Sequence, residues 1–158
     1  MANLSDLEAA LEPILQHLAT FDVGMENAAA KLEERFPFGG DEVQSVRAIV
    51  REGVDAGWLA PREDGGIRFG RLRKAAGPAD LSVDCVHMSK PGPGHTHPNG
   101  EVDLCFRVDG SPTFDGQDEG WVVYPANSWH VPTVAEGVMD ILYFLPGGAI
   151  RFEPKPSN

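Results

Sequence analysis

The chain has 158 residues, enough for one sizeable hydrophobic core, and its 42% hydrophobic and 23% charged residues are typical of a globular protein. The formal net charge of -11 argues against nucleic acid as a partner, because such binding depends on Lys and Arg neutralising phosphates. The 18 Gly and 13 Pro residues indicate many turns and favour a β architecture over a helical bundle.

No segment suggests a membrane partner or a secreted protein. No apolar run approaches the roughly 18 residues of a membrane span. The first 21 residues are acidic and interrupted by charges, unlike a secretory signal. We therefore expect a cytoplasmic location. Cys85 and Cys105 lie in apolar, β-like runs, and we expect buried thiols rather than a redox pair.

Residues 1–60 are predicted to form a helical segment that packs on the rest of the chain or on a partner subunit. Apolar periodicity predicts three helices, over about residues 5–19, 25–35 and 41–56. Ser5 and Glu8 form a capping-box pattern, and Pro13 either kinks the first helix or divides it. Asp41 is expected to cap the third helix, which Gly57 ends.

Residues 58–72 have the pattern of a hairpin that turns at Asp64, Gly65 and Gly66. A helix followed by a hairpin is also typical of winged-helix DNA-binding proteins. Residues 1–60, however, contain four basic and eleven acidic residues, and such a surface would repel a duplex. The hairpin is therefore assigned to a β domain covering residues 61–158.

From Leu81 onward, short apolar runs alternate with turn-forming residues. This pattern is typical of the strands of an antiparallel β-barrel or sandwich. The predicted strands are Leu81–Met88, Glu101–Val108, Gly120–Tyr124 and Val138–Leu145.

Four residues in the second half have the spacing of a metal site. His95 and His97 are two apart on a predicted strand, so both imidazoles can face one point. A Pro98-Asn99-Gly100 bend allows Glu101 to return to it, and His130 could supply a fourth ligand. This donor set suits one divalent transition metal, Fe, Mn, Zn, Ni, Co or Cu. The alternative is that these histidines are solvated loop residues.

The same residues resemble the two motifs of the cupin superfamily. His95-Thr96-His97-Pro98-Asn99-Gly100-Glu101 matches His-x-His, three residues and Glu. Pro125-Ala126-Asn127-Ser128-Trp129-His130 matches Pro-x-Gly, two residues and His, with Asn127 in place of Gly. The resemblance implies a cupin-type antiparallel β-barrel, or jelly roll, preceded by the helical segment. It also implies that His95, His97, Glu101 and His130 are the metal ligands.

At a finer level the sequence resembles the small bacterial 4-hydroxylaminobenzoate lyases, in PGPGHTHPNGEVDLCF (residues 91–106) and YPANSWHVP (residues 124–132). The resemblance implies conversion of 4-hydroxylaminobenzoate and water to 3,4-dihydroxybenzoate (protocatechuate) and ammonia, a step in nitroaromatic degradation. It implies a small aromatic carboxylate as substrate. The alternatives are a cupin dioxygenase acting on a small aromatic or thiol compound, and a non-catalytic cupin that senses a ligand.

Strand alternation assigns further roles around Glu101. Asp103, Cys105 and Arg107 should share its face, which makes Glu101 and Asp103 candidate catalytic groups and Arg107 a candidate anchor for a carboxylate. An ion pair at the rim is an equally good role for Arg107. A β-bulge would turn Arg107 outward and leave another arginine as the anchor, among Arg68, Arg71 and Arg73.

Tyr124 and Trp129 are further candidates for substrate binding, because their rings could flank an aromatic substrate; Trp121 and Tyr143 are candidates of the same kind. The opposite face of the Glu101 strand is apolar, with Val102, Leu104, Phe106 and Val108. An exposed apolar face is unusual on a monomer, so we expect a homodimer or larger homo-oligomer.

Overall fold

The computed structural model describes residues 1–157, in which three helices precede nine strands. The elements are α1 (Leu4–Leu18), α2 (Ala28–Arg35), α3 (Asp41–Ala56), β1 (Arg62–Asp64), β2 (Ile67–Arg73), β3 (Leu81–Met88), β4 (His95–His97), β5 (Glu101–Phe114), β6 (Gly120–Tyr124), β7 (Ser128–His130), β8 (Val134–Pro146) and β9 (Arg151–Phe152). Among these residues, no helix has both the length and the apolar composition needed to cross a membrane.

The strands form two antiparallel sheets, and the predicted mainly β, jelly-roll-like architecture is confirmed. The large sheet has the order β1-β2-β3-β8-β5-β6, and the small sheet has the order β7-β4-β9. The prediction of a barrel needs a correction, because no ladder within residues 1–157 joins the two sheets into a closed cylinder. The molecule is therefore an open jelly roll.

The helices cover one face of the large sheet. Val102, Leu104 and Phe106 of β5 are buried in one hydrophobic cluster with the apolar faces of α1, α2 and α3. The Phe38 ring, after α2, lies 5.9 Å from the Phe106 ring. The apolar β5 face is thus covered by the chain's own helices, so it gives no reason to expect an oligomer. Cys85 and Cys105 are buried free thiols, as predicted.

The start of α1 differs from the predicted cap. The Asn3 side chain accepts a hydrogen bond from the Asp6 backbone, and the Asp6 side chain accepts one from the Asn3 backbone. This reciprocal pair, rather than Ser5 and Glu8, forms the capping box. Pro13 lies inside one continuous 15-residue helix and does not divide it.

The hairpin after α3 belongs to the large sheet. Gly40 is the N-cap of α3, so Asp41 lies in the first turn, and Gly57 ends the helix with φ 84°. The β1–β2 hairpin turns at Gly65 and Gly66, and β2 then pairs with β3 along its length. The β1–β2 hairpin is therefore the edge of the large sheet and not the free wing of a winged helix.

Candidate metal centre and cavity

Two short strands bring the four predicted ligands to one point. In the β4–β7 ladder His95 lies directly opposite His130, and His97 lies opposite Ser128. Gly100 adopts φ 84°, and a Cβ there would lie 2.8 Å from the Tyr124 carbonyl oxygen, so this turn needs glycine. The turn returns the chain so that Glu101 faces the histidines.

The ligand atoms of His95, His97, Glu101 and His130 all lie within 4.8 Å of one another. The Nε2 atoms of His95 and His130 are 3.1 Å apart. Glu101 Oε2 lies 3.2 Å from His97 Nε2 and 3.8 Å from His130 Nε2. Such spacing is short enough for all four atoms to bind the same ion.

The hydrogen bonds at the other ring nitrogens fix the tautomers of the histidines. His95 Nδ1 lies 3.1 Å from the Pro93 carbonyl oxygen, which can only accept. The Ser128 hydroxyl donates to the Pro125 carbonyl, so it accepts from His97 Nδ1 at 2.9 Å. Because each Nδ1 carries the proton, the Nε2 lone pairs of His95 and His97 point into the cluster.

Several buried atoms in the cluster need a cation. His97 Nε2 and Glu101 Oε2 are buried and have no hydrogen-bond partner within residues 1–157. Burial lowers the pKa of His95, which keeps its imidazole neutral and able to coordinate. Converging lone pairs and a buried carboxylate repel one another, and a divalent metal removes that repulsion. The donor set therefore fits a transition metal.

Asp115, which was not predicted from the sequence to be a site residue, contacts His130, the fourth ligand. It follows β5 in a turn, and its Oδ2 lies 2.6 Å from His130 Nδ1. Its Oδ1 accepts the Thr133 backbone N–H at 2.8 Å, and the Tyr124 hydroxyl donates to Oδ2. Burial opposes ionisation, but these hydrogen bonds leave the pKa of Asp115 lowered, so it stays a carboxylate. It thereby orients His130 and increases its basicity.

We predict that Asp115→Asn lowers metal affinity by about 10- to 100-fold, the usual effect of losing a carboxylate that orients a ligand histidine. The asparagine can still accept the Thr133 N–H, but it cannot accept equally well from His130. Competition with a chromogenic chelator measures the affinity. The control is Asp118→Asn, which changes an exposed carboxylate in the same turn. Equal affinities for the parent and Asp115→Asn proteins, at equal thermal stability, would show that Asp115 does not position the ligand.

A cavity of about 380 Å³ opens beside the cluster, between the large sheet and the small sheet. His95 and Glu101 form part of its wall. Most of the remaining wall is apolar, formed by Ile67, Phe69, Val86, Met88, Tyr143, Leu145, Ile150 and Phe152. Four charged residues also line it, namely Arg62, Asp64, Arg71 and Asp84. The volume and the walls suit a small aromatic molecule.

Three of the predicted substrate-binding residues, Arg107, Tyr124 and Trp129, are not part of the wall of this cavity. Arg107 pairs with Asp118 and Glu119, which is a rim ion pair and not a group in the cavity wall. The Trp129 indole donates to the Glu153 carbonyl at 2.9 Å and fastens the C-terminal segment.

The other two aromatic candidates near the site have different surroundings. The Tyr124 ring lies 4.3 Å from the His130 ring and 5.4 Å from the His97 ring, so Tyr124 packs on the ligands. Tyr143, in contrast, is part of the cavity wall. Trp121 lies in the cluster with the helices, where its indole donates to the Phe36 carbonyl, so Tyr143 is the one of the four aromatic candidates in position to contact a ring in the cavity.

Asp103 lies deep in the same half of the molecule. It is fully buried, and neither carboxyl oxygen has a hydrogen-bond partner within residues 1–157. Burial raises the pKa of Asp103 well above its usual value, and the neighbouring Glu101 carboxylate raises it further. Burying a carboxyl group destabilises the fold, and buried groups of this kind are often retained for chemistry.

Over residues 10–152 the sequence matches the family model described as PnbB, 4-hydroxylaminobenzoate lyase. The chain belongs to this lyase family. The 4-hydroxylaminobenzoate lyase of Nocardioides sp. (strain LMS-CY) is 29% identical over 99% of this chain and 98% of its own length. The 4-hydroxylaminobenzoate lyase of Pseudomonas putida is 27% identical over 77% of this chain and 80% of its own length.

Solved structures show the same fold for nearly the whole chain. The DMSP lyase DddQ from Ruegeria pomeroyi DSS-3 has a TM-score of 0.57 and covers 98% of both chains at 16% identity. The match therefore includes the N-terminal helices as well as the sheets. At this identity the likeness concerns architecture, whereas the lyase family membership makes the chain a lyase-like enzyme.

Proposed function

We propose that this enzyme converts 4-hydroxylaminobenzoate and water to 3,4-dihydroxybenzoate and ammonia, with one divalent transition metal held by His95, His97, Glu101 and His130. The observation that carries the proposal is the junction of a four-ligand cluster with an apolar cavity of about 380 Å³. Family membership and the names of both relatives support the substrate. The reaction would belong to the degradation of nitroaromatic compounds.

The reaction needs no external oxidant. Cleavage of the N–O bond gives its electron pair to oxygen, which leaves as water after taking up a proton. One water then adds to the adjacent ring carbon and loses a proton. A second water hydrolyses the C=N bond and releases ammonia, after which the ring regains aromaticity. Two waters enter and one leaves, which gives the net uptake of one water.

The residues around the cavity have distinct tasks in this proposal. A bound divalent metal would polarise the hydroxylamino oxygen and lower the pKa of a water molecule. The apolar wall, including Val86, Tyr143 and Leu145, would hold the ring and exclude bulk water. Asp103 is buried beside Glu101, and burial raises the pKa of its carboxyl group; in this proposal it would be the proton donor for the departing oxygen.

Anaerobic incubation of the metal-loaded protein with 4-hydroxylaminobenzoate tests the proposal. We expect equimolar ammonia and 3,4-dihydroxybenzoate, measured enzymatically and by chromatography, and no turnover by protein treated with a chelator. A dioxygenase would instead consume oxygen and stay inactive without it. A ligand sensor would bind the compound and return it unchanged. Either of these last two results would contradict the lyase proposal.

Two expectations from the sequence remain predictions, namely a cytoplasmic location and a homo-oligomeric state. The oligomeric state now lacks the argument from the β5 face, because helices α1 to α3 cover that face. Light scattering at micromolar concentration would measure it.

A further inference from the structure

We propose that Arg71 of β2, held in place by Asp84, binds the carboxylate of the substrate at the far side of the cavity from the metal ligands. This inference rests on the proposed function, which supplies a substrate with a carboxylate opposite its reacting group. It assigns the anchoring task to an arginine of the cavity wall instead of Arg107.

The register of the large sheet places Arg71 on the interior face. Arg71 lies opposite Asp84, Asp84 opposite Tyr143, and Tyr143 opposite Asp103. Residues paired across antiparallel strands point to the same side, so these four side chains form one row, in which Arg71, Asp84 and Tyr143 line the cavity and Asp103 is buried behind its wall. Arg68, on the other side of β2, instead donates to the Val54 and Ala60 carbonyls near α3.

The length of this row suits a para-substituted ring. Three strand spacings of about 4.8 Å place the backbones of Arg71 and Asp103 roughly 14 Å apart along the sheet. Asp103 is two residues from the ligand Glu101 on the same face of β5. Arg71 and Glu101 both line the cavity, so a para-substituted ring between them would have its hydroxylamino group near Glu101 and its carboxylate near Arg71.

The Arg71 guanidinium is oriented but keeps free donors. Its Nε donates to Asp84 Oδ1 at 2.8 Å, and its Nη2 donates to Asp84 Oδ2 at 3.2 Å. The hydrogen bonds that Arg71 donates to Asp84 raise the pKa of Arg71, so the group stays charged. Nη1 makes no hydrogen bond within residues 1–157, which leaves its two N–H groups for a ligand.

Arg71 is a better anchor than Arg62, the second arginine of the cavity wall. Arg62 lies on the three-residue edge strand β1 and has no ion pair within residues 1–157, whereas Arg71, which is also exposed, is paired with Asp84. Fixing an unpaired arginine side chain on a ligand costs side-chain entropy. The ion pair with Asp84 orients the Arg71 side chain before a ligand binds, so less side-chain entropy is lost when the carboxylate binds.

Binding of 4-aminobenzoate, an unreactive analogue, tests the anchor without requiring turnover. In calorimetry with metal-loaded protein, Arg71→Ala should weaken 4-aminobenzoate binding by at least about 30-fold, which corresponds to about 2 kcal/mol. Binding of aniline, which lacks the carboxylate, should not weaken. Arg107→Ala is the matched control and should bind 4-aminobenzoate as the parent does, because Arg107 lies outside the cavity wall.

A double variant separates attraction by Arg71 from repulsion by the unmasked Asp84. Arg71→Ala with Asp84→Ala removes both charges, and we expect 4-aminobenzoate binding to remain at least about tenfold weaker than in the parent. Parent-like affinity in the double variant would overturn the proposal, as would a loss seen with Arg62→Ala but not Arg71→Ala. Selective binding of the carboxylate without any ammonia release would leave the anchor standing and reject the lyase reaction, so the two failures are distinguishable.

Discussion

Purified His97→Ala protein is expected to contain almost no tightly bound transition metal and to lose lyase activity by about 1,000-fold or more. His97 is fully buried and its Nε2 lies 3.2 Å from Glu101 Oε2, so the substitution leaves the buried cluster one ligand short. A catalytic metal supplies several kcal/mol of transition-state stabilisation, and about 4 kcal/mol corresponds to a factor of 1,000. Elemental analysis and the ammonia assay measure the two effects.

The control for this variant is His17→Ala, which removes a histidine of α1 that packs on Phe21 and Phe36. It should keep the parent's metal content. Circular dichroism checks that His97→Ala is folded, and His130→Ala, which changes a more accessible ligand, repeats the test if it is not. Full metal content in folded His97→Ala and His130→Ala proteins would rule out the proposed site.

The second large effect is expected at Asp103. Asp103→Asn should lower kcat by at least about 100-fold while metal content and KM change little, because the amide has the same shape but cannot transfer a proton. The prediction depends on the complete burial of Asp103, on its unpartnered carboxyl oxygens and on its place beside Glu101. Steady-state kinetics of the metal-loaded protein measure kcat and KM separately.

Cys105→Ser is the matched control, since Cys105 is the next residue on the same face of β5 and is equally buried. It should retain most of the parent kcat, whatever small loss of stability the added hydroxyl causes. If Asp103→Asn kept the parent kcat, Asp103 would have no part in proton transfer, and its burial would need another explanation.

The strands were predictable where apolar alternation ran without interruption. The predicted bounds of β3 and β6 agree with the structure, because both strands are short apolar runs between turn residues. β5 was expected to end at Val108 but continues to Phe114, past Gly110 and Pro112. Its pairing with β8 shifts register after Arg107 and again after Gly110, and the bulges absorb residues that usually end a strand.

The four clustered residues were predictable because they are adjacent in sequence or belong to recurring motifs. Asn127 adopts φ 64°, the left-handed conformation that allowed it to replace glycine in the second motif. Asp115 was not predictable, since its contact with His130 exists only after two loops fold together. The sequence left Arg71 as one of three alternative anchors, and the choice among them depends on the registers of three strand pairs that the sequence does not specify.

Isotope labelling tests the central claim, that this metal-dependent lyase takes oxygen from water and uses the N–O bond as the oxidant. The metal-loaded enzyme is supplied with 4-hydroxylaminobenzoate under ¹⁸O₂ in ordinary water, and the 3,4-dihydroxybenzoate formed is analysed by mass spectrometry. We expect product with no ¹⁸O, accompanied by an equal amount of ammonia. Incorporation of ¹⁸O from the gas into the ring hydroxyls would contradict the claim and identify an oxygenase.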